Sequence, residues 1–192
     1  MTTRWAIVAG GGLLVVLVIA ALLLVLNLQR RPRKTQQDGP AQTAAAAAAP
    51  QERMIKARLF YVAEDGRKLA SLERDVRYAE RPVDQARELI EAQLTPPDEP
   101  LVSAIPTGTR LRALFVTKEG EAFVDLSGEI SSAHGGGALD ELLTIYTIVH
   151  ALTANMPAIT AVQVLVDGKE VDTLAGHVDL RRPLLKNLTW VQ

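Results

Sequence analysis

The chain has 192 residues, of which 48% are hydrophobic and 22% are charged, and its formal net charge is −1. This length and balance indicate one ordinary domain plus additional segments, and they exclude a disordered or collagen-like chain. Cysteine is absent, which excludes disulfide scaffolds, thiol nucleophiles, lipid attachment through cysteine and Cys-ligated metal sites. Residues 54–192 carry 15 basic and 20 acidic side chains, a balance that argues against a nucleic-acid partner.

A transmembrane helix is predicted near the start of the chain. After a short tail of residues 1–4, residues 5–29 contain no charged side chain. At about 1.5 Å per residue this stretch covers the roughly 30 Å hydrocarbon core of a bilayer. A cleaved signal peptide and a buried core helix are the alternatives, but the stretch is long for a signal peptide and lacks a small-residue cleavage site.

Residues 30–53 are predicted to form a linker. They begin with a basic cluster (Arg30, Arg31, Arg33 and Lys34) and continue with alanines from Ala44 to Ala49, closed by Pro50. The Ala/Pro-rich part has nothing to bury, so we expect a loose tether that holds the following domain off the bilayer. By the positive-inside rule, the basic cluster favours a cytoplasmic location for everything after the helix.

Residues 54–100 are predicted to form a first β-β-α unit. Met54–Val62 is apolar and β-rich, Gly66 closes an acidic hairpin turn, and a second extended run continues to Tyr78. Pro82 then begins a helix with apolar residues at helical spacing, and Thr95-Pro96-Pro97 ends it.

Residues 101–192 repeat this order and add a C-terminal β-hairpin. The segment from Arg58 to Arg67 aligns with the segment from Arg112 to Glu121, so that Gly66 corresponds to Gly120. A second helix is predicted from about Ala138 to Thr153, and Asp167-Gly168 forms the turn of the terminal hairpin. The predicted fold class is α+β, a duplicated β-β-α unit with two small sheets, each covered by a helix and packed side by side.

One loop is a candidate interaction site. His134-Gly135-Gly136-Gly137 precedes the second helix and resembles the oxyanion loop of some lipases, but the chain has no G-x-S-x-G motif. We therefore interpret these glycines as structural, allowing positive φ and close backbone approach, with a helix start that could at most hold an anion or a partner's carboxylate. Asp140 and Glu141 complement the helix dipole there.

No catalytic residue, metal site, cofactor or small-molecule substrate is predicted. The three histidines show no recognised metal spacing, and His150 lies on an apolar helix stripe, which indicates a buried, satisfied side chain. Two alternatives stay open. A hydrolase would use Ser127, Ser131 or Ser132 with His134 or His177. A module that binds cell-wall glycan or peptide needs an exposed aromatic platform, whereas the aromatic residues fall mostly at core-like positions: Tyr61, Tyr78, Phe115 and Tyr146.

Several short motifs together resemble the GerMN domain of the sporulation and spore germination family. The resemblance covers about residues 56–185. Its motifs are L-V-S-A-I-P-T-G-T from Leu101, V-D-L-S from Val124, the Gly-rich loop entering a helix, I-V-H-A-L-T from Ile148, V-L-V-D-G-K from Val164 and G-H-V-D-L-R-R-P-L from Gly176.

This resemblance implies a location and a class of partner. Family members are attached to a membrane at the N-terminus, expose the domain outside the cytoplasm and support assembly of envelope-spanning complexes, with units similar to the ring-building modules of secretion systems. No catalytic residue is assigned in the family. We therefore predict a single-pass protein of the inner or cytoplasmic membrane, with its N-terminus in the cytoplasm against the charge bias. Its predicted partners are envelope proteins or a second copy of itself.

Overall fold

The structure is a computed structural model, and it describes residues 52–98 and 100–192. The predicted tail, the predicted transmembrane helix at 5–29 and nearly all of the predicted linker lie outside the described residues. Within residues 52–98 and 100–192, no helix combines the length with the hydrophobicity that a membrane span requires.

The first sheet is a single hairpin. Strand β1 (Met54–Val62) pairs antiparallel with β2 (Leu69–Arg77), and Phe60 lies opposite Ser71. Gly66, in the connecting turn, has a φ of +67°, a left-handed conformation that glycine adopts without steric cost. Helix α1 (Pro82–Leu94) follows, beginning at proline and ending before Thr95 as predicted.

The second sheet contains the remaining strands of the described chain. Its main path is β3 (Leu111–Val116), β4 (Glu121–Leu126), β5 (Ala161–Val166) and β6 (Lys169–Glu170), while β7 (Leu184–Leu185) pairs with the start of β5. Strands β4 and β5 are parallel, so the chain crosses over between them through α2 (Glu129–Ser132) and α3 (Ala138–Asn155). A 3-10 turn at Leu188–Trp190 lies near the end of the chain.

The arrangement of the sheets corrects the prediction of two equivalent units. The predicted terminal hairpin exists as β5 and β6, but it belongs to the second sheet because β5 pairs with β4. Helix α3 packs more extensively against β1 than against β5, and α1 packs against β3 as well as against the first sheet. A two-stranded hairpin cannot bury its apolar face alone, so it shares the helices of the second sheet.

Both sheets consequently contribute to one main core. Ala57 and Val76 of the first sheet lie in the same buried cluster as Leu114 and Val124 of the second. The helices add apolar side chains to that cluster, including Ala86, Leu89, Ile90, Ile145, Ile148 and Leu152. The element order and the turn glycines therefore recur along the chain, while the tertiary structure is that of one domain.

Candidate functional site

The outer edge of β1 is occupied by a side-chain amide from α1. The Phe60 backbone N–H donates to Gln93 Oε1 at 2.8 Å, and Gln93 Nε2 donates to the Phe60 carbonyl at 2.8 Å. Gln93 is completely buried, so this pair of bonds replaces what a neighbouring strand would supply. Another strand cannot pair with Phe60 while Gln93 is in place.

Two further contacts extend this closure along β1. Asn155, the last residue of α3, accepts a hydrogen bond from the Arg58 N–H at 2.8 Å and donates to the Arg58 carbonyl at 2.7 Å. The Val62 N–H donates to the Val102 carbonyl at 2.8 Å. The outward-facing backbone of Arg58, Phe60 and Val62 is thus engaged, which protects the edge against strand addition.

The outer edge of β2 is charged. The Gln192 N–H donates to the Leu69 carbonyl at 3.0 Å, so the antiparallel alternation turns the backbone of Ser71, Glu73 and Asp75 outward as well. The side chains of Glu73 and Asp75 are exposed. Charged side chains on an edge strand disfavour pairing with another chain.

The outer edge of β3 has no strand partner among the described residues and is apolar from Ala113 to Val116. The Thr117 N–H donates to the Glu121 carbonyl at 2.9 Å, and Phe115 lies opposite Phe123, so the alternation directs the backbone of Leu114 and Val116 away from β4. Neither residue's backbone N–H has a hydrogen-bond partner among residues 52–98 and 100–192. No charged side chain occurs from Ala113 to Val116. Arg112 lies near the start of β3 and Leu114 is buried, so the stretch without a strand partner, an engaging amide or a charged side chain is short and is accessible at Phe115 and Val116.

An aromatic pair lies on the outer face of the second sheet beside this edge. Phe115 is 61% exposed, and it is paired across strands with the half-buried Phe123. The prediction that Phe115 occupies a core-like position is therefore wrong. Among the other aromatic residues of that prediction, Tyr61 is fully buried and Tyr146 packs at the margin of the core.

The Gly-rich loop is held against α3 by its histidine. The Gly136 N–H donates to His134 Nδ1 at 3.1 Å, so a neutral ring carries its proton on Nε2 and donates to the Thr144 hydroxyl at 3.1 Å. The Thr144 hydroxyl in turn donates to the Ala104 carbonyl at 2.7 Å. Gly136 and Gly137 have φ values of +82° and +97°. These contacts fix the position of the loop against α3. The loop borders a cavity of about 430 Å³.

Residues 58–172 match the family model described as sporulation and spore germination, known as Germane. That match covers more than half of the chain. The chain belongs to this family.

Solved structures of the same fold agree with this membership. A candidate lipoprotein from Clostridium perfringens is 24% identical with a TM-score of 0.50, over 69% of this chain and 88% of that protein. The tandem GerMN domains of the sporulation protein GerM from Bacillus subtilis are 16% identical with a TM-score of 0.54, over 69% of this chain and 46% of that one. The chain thus spans about half the length of the tandem protein. Comparison with curated protein sequences found no match.

The terminal hairpin of this GerMN-family domain is tied to β3 and β4 by an ion-pair cluster. Asp167 and Gly168 both have positive φ, at +49° and +76°. The Gly168 N–H donates to Asp125 Oδ1 at 2.7 Å, and Arg112 contacts Asp125 at 3.2 Å and Asp167 at 3.3 Å. Sequence reasoning missed this cluster, although an aspartate inside the apolar strand β4 is a signal that could have suggested it.

A buried carboxylate organises the loop that follows β6. Glu141 is completely buried and accepts hydrogen bonds from the N–H groups of Leu174 and His177, both at 2.8 Å, and contacts His177 Nδ1 at 3.1 Å. Burial by itself raises the pKa of this carboxyl, but donors from the loop backbone outweigh burial, and the pKa lies below its ordinary value. Glu141 therefore does more than complement the helix dipole, because it anchors a loop thirty-odd residues away.

The residues of the hydrolase alternative form no serine–histidine hydrogen bond within the described part of the chain. Both ring nitrogens of His134 are engaged by Gly136 and Thr144, and His177 Nδ1 faces Glu141. The Ser127 hydroxyl accepts from the Arg110 N–H at 2.9 Å. Within the described part of the chain, no hydrogen bond joins Ser127, Ser131 or Ser132 to a histidine ring, and no three metal-ligating side chains cluster.

Proposed function

We propose that this protein is a non-catalytic, membrane-tethered module that assembles envelope proteins outside the cytoplasm, in a sporulation or germination setting. The observation that carries the proposal is the difference between the strand edges: β1 is sealed by Gln93 and Asn155, whereas the outer edge of β3 has no strand partner among the described residues and is apolar from Ala113 to Val116. An open edge supplies unpaired N–H and C=O groups to an extended partner segment, and alternate side-chain contacts supply specificity. The partner is an envelope protein or a second copy of this chain.

The proposed location rests on the sequence and on fold similarity. Residues 5–29 have the length and composition of a membrane anchor. The similar Clostridium perfringens structure is described as a candidate lipoprotein, and a lipoprotein is attached to a membrane at its N-terminus. Protease added to intact spheroplasts should therefore digest the domain. Digestion only after lysis would show the opposite topology, with the domain in the cytoplasm, which is the one that the basic cluster at Arg30 to Lys34 favours.

Photocrosslinking tests the open edge directly. A photoreactive phenylalanine analogue at Phe115 lies beside the β3 edge, while the same group at Glu73 lies on the charged β2 edge and serves as the matched control. At native expression levels we expect higher-mass products from the Phe115 position and none from Glu73. The mass of the product distinguishes a second copy from a different protein. Equal labelling from both positions contradicts the proposal.

A proline variant separates docking from folding. The Val116 N–H points away from β4, so Val116→Pro removes a docking donor without removing a ladder hydrogen bond. Val116→Thr keeps the N–H and is the control. We expect Val116→Pro to reduce the Phe115 crosslink about tenfold, as loss of one backbone hydrogen bond implies, while the thermal midpoint stays near that of Val116→Thr. An undiminished crosslink in the proline variant would show that the partner does not pair with β3.

The exposure of Phe115 supports a second candidate, a module that binds cell-wall glycan. An exposed ring on an open sheet face suits stacking on a sugar. Retention of the protein on purified cell-wall material, lost in Phe115→Ala but kept in Val116→Pro, would favour this candidate over strand addition. The reverse pattern, with no retention and a Val116-dependent crosslink, favours assembly.

A further inference from the structure

A large cleft lies between the β1–β2 hairpin, the end of α3 and the C-terminal segment of residues 184–192. Its volume is about 790 Å³, within the range of roughly 300 to 1,000 Å³ typical of ligand sites. The C-terminal segment crosses from one sheet to the other. Leu184 and Leu185 pair with β5, and the Gln192 N–H donates to the Leu69 carbonyl of β2 at 3.0 Å.

The C-terminal segment is held in this position by a histidine of α3. His150 is buried, and its Nε2 donates to the Asn187 carbonyl at 3.1 Å. The ring also packs against Phe60, with ring centroids 5.2 Å apart. The C-terminal segment therefore forms one wall of the cleft, and core residues form its floor.

The walls of the cleft are apolar and in part exposed. Phe60 and Ile159 form buried surface, whereas Leu185 and Leu188 are 65% and 66% exposed. Two large, neighbouring exposed leucines at the mouth of a cleft are apolar surface that a partner could cover.

The charge of the cleft is opposite to that of the domain. Arg58 and Lys186 line it, no acidic side chain does, and neither cation forms an ion pair within the described residues. Residues 54–192 as a whole carry 20 acidic and 15 basic side chains. Two cationic side chains and no acidic side chain in a cleft of a net acidic domain favour an anionic ligand.

The β1 backbone beside the cleft is closed to strand addition. Asn155 and Gln93 occupy the outward N–H and C=O groups of Arg58 and Phe60. A ligand in the cleft is therefore recognised through charges and apolar side chains rather than by extending β1. The two cations belong to different elements, β1 and the C-terminal segment, so an extended segment that carries two carboxylates can meet both.

We propose that this cleft binds an acidic, apolar peptide segment of a partner protein. Its carboxylates meet Arg58 and Lys186, and its apolar side chains pack on Leu185, Leu188 and Phe60. The cleft contains none of the residues of the β3 edge. This proposal is therefore independent of whether a partner binds at that edge.

Fluorescence polarisation with the full chain in detergent tests this site. The probe is a pool of fluorescein-labelled decapeptides in which Asp or Glu alternates with Leu, Ile, Val or Phe. The matched pool has Asn and Gln in place of Asp and Glu, and a third pool has Lys and Arg. Arg58→Glu and Lys186→Glu, singly and together, are compared with Arg67→Glu, an exposed cation in the β1–β2 turn. Labelled oleate tests whether a lipid supplies the anion instead.

We expect the acidic pool to bind, the neutral pool to bind at least about tenfold more weakly, and each charge reversal in the cleft to cost about tenfold. The double variant should gain affinity for the basic pool, which a misfolded protein would not do. Arg67→Glu should leave the affinity unchanged. Equal binding of acidic and neutral pools, insensitivity to both charge reversals, binding of oleate alone, or no binding at peptide concentrations up to about 1 mM would each overturn the proposal.

Discussion

Gln93 and Phe60 form a two-bond pair in which a glutamine side chain takes the place of a β-strand. Both hydrogen bonds are 2.8 Å long, and the glutamine is fully buried. The pair joins α1 to β1 across 33 positions of the chain, and it closes a sheet edge that would otherwise be available to other molecules. On the outer edge of β3, by contrast, the backbone N–H groups of Leu114 and Val116 have no such partner among the described residues.

Loss of the Gln93 amide should destabilise the domain strongly. Gln93→Leu retains the volume but leaves a buried N–H and a buried C=O of Phe60 unpaired, which predicts a loss of about 2 to 4 kcal/mol in the free energy of unfolding. Asn155→Ala removes a similar pair from the more exposed Arg58, where water can substitute, and should cost about 1 kcal/mol. Urea unfolding of both variants measures the difference. An equal loss in the two variants would show that burial of the pair is not the cause.

The turn glycines of the two hairpins should differ in tolerance of alanine. Gly66 and Gly120 occupy corresponding turns and both have positive φ, at +67° and +88°. A Cβ at Gly66 meets nothing within 4 Å, whereas a Cβ at Gly120 would overlap the carbonyl oxygen of Ala158. We expect Gly66→Ala to cost about 1 kcal/mol from backbone strain and Gly120→Ala to cost at least about twice that. Thermal unfolding of the two variants tests which loss of stability is larger. A larger loss for Gly66→Ala than for Gly120→Ala would refute the prediction.

Glu141 should make stability depend on acidic pH. Its pKa in the folded protein lies below the ordinary value of 4.5, so its stabilising contribution is complete above that value and is lost as the pH falls through the folded pKa. Glu141→Gln presents an amide to the N–H donors of Leu174 and His177, and we expect it to lose about 1 to 3 kcal/mol at neutral pH. The variant should also show a weaker dependence of the unfolding free energy on pH below 4.5. Faster amide exchange at Leu174 would locate the effect in the anchored loop; unchanged exchange there would contradict the anchoring role.

His150 should contribute a second pH dependence, at a higher pH. Burial lowers the pKa of His150 from its ordinary value of 6.5, so the folded protein keeps the ring neutral. The stability from this group is complete above pH 6.5 and falls as the pH decreases from there toward the folded pKa. His150→Gln keeps a donor for the Asn187 carbonyl but cannot titrate. Its unfolding free energy should therefore be flatter across this window, and an unchanged slope would assign the dependence to another group.

Local elements were predictable because their signals are local. Pro82 and Thr95-Pro96-Pro97 mark the ends of α1, since proline suits the first turn of a helix and disfavours its continuation. The hairpin turns could be placed from Gly66 and Gly120 because they need positive φ. The family, with its mixed α+β fold, was also recognisable from short motifs spread over residues 101–184.

The partners of each strand were not predictable from periodicity. Nothing in the apolar pattern of β5 shows that it pairs in parallel with β4, where Glu121 lies opposite Ala161, so the sequence predicts the terminal hairpin only as an addition to the second β-β-α unit. The exposure of Phe115 was missed for a similar reason. An apolar residue in a strand does not reveal whether another layer covers that face of the sheet.

The ends of the helices, the turns, the absence of cysteine chemistry and the family follow from the sequence alone. Those properties depend on backbone preferences and compositions that act over a few residues. The closed edge of β1 and the presence of Arg58 and Lys186 in one cleft depend on the tertiary structure instead. Gln93 and Asn155 bond to β1, and Lys186 lines the cleft with Arg58, from distant parts of the chain, because packing of the whole core rather than any local pattern sets their positions.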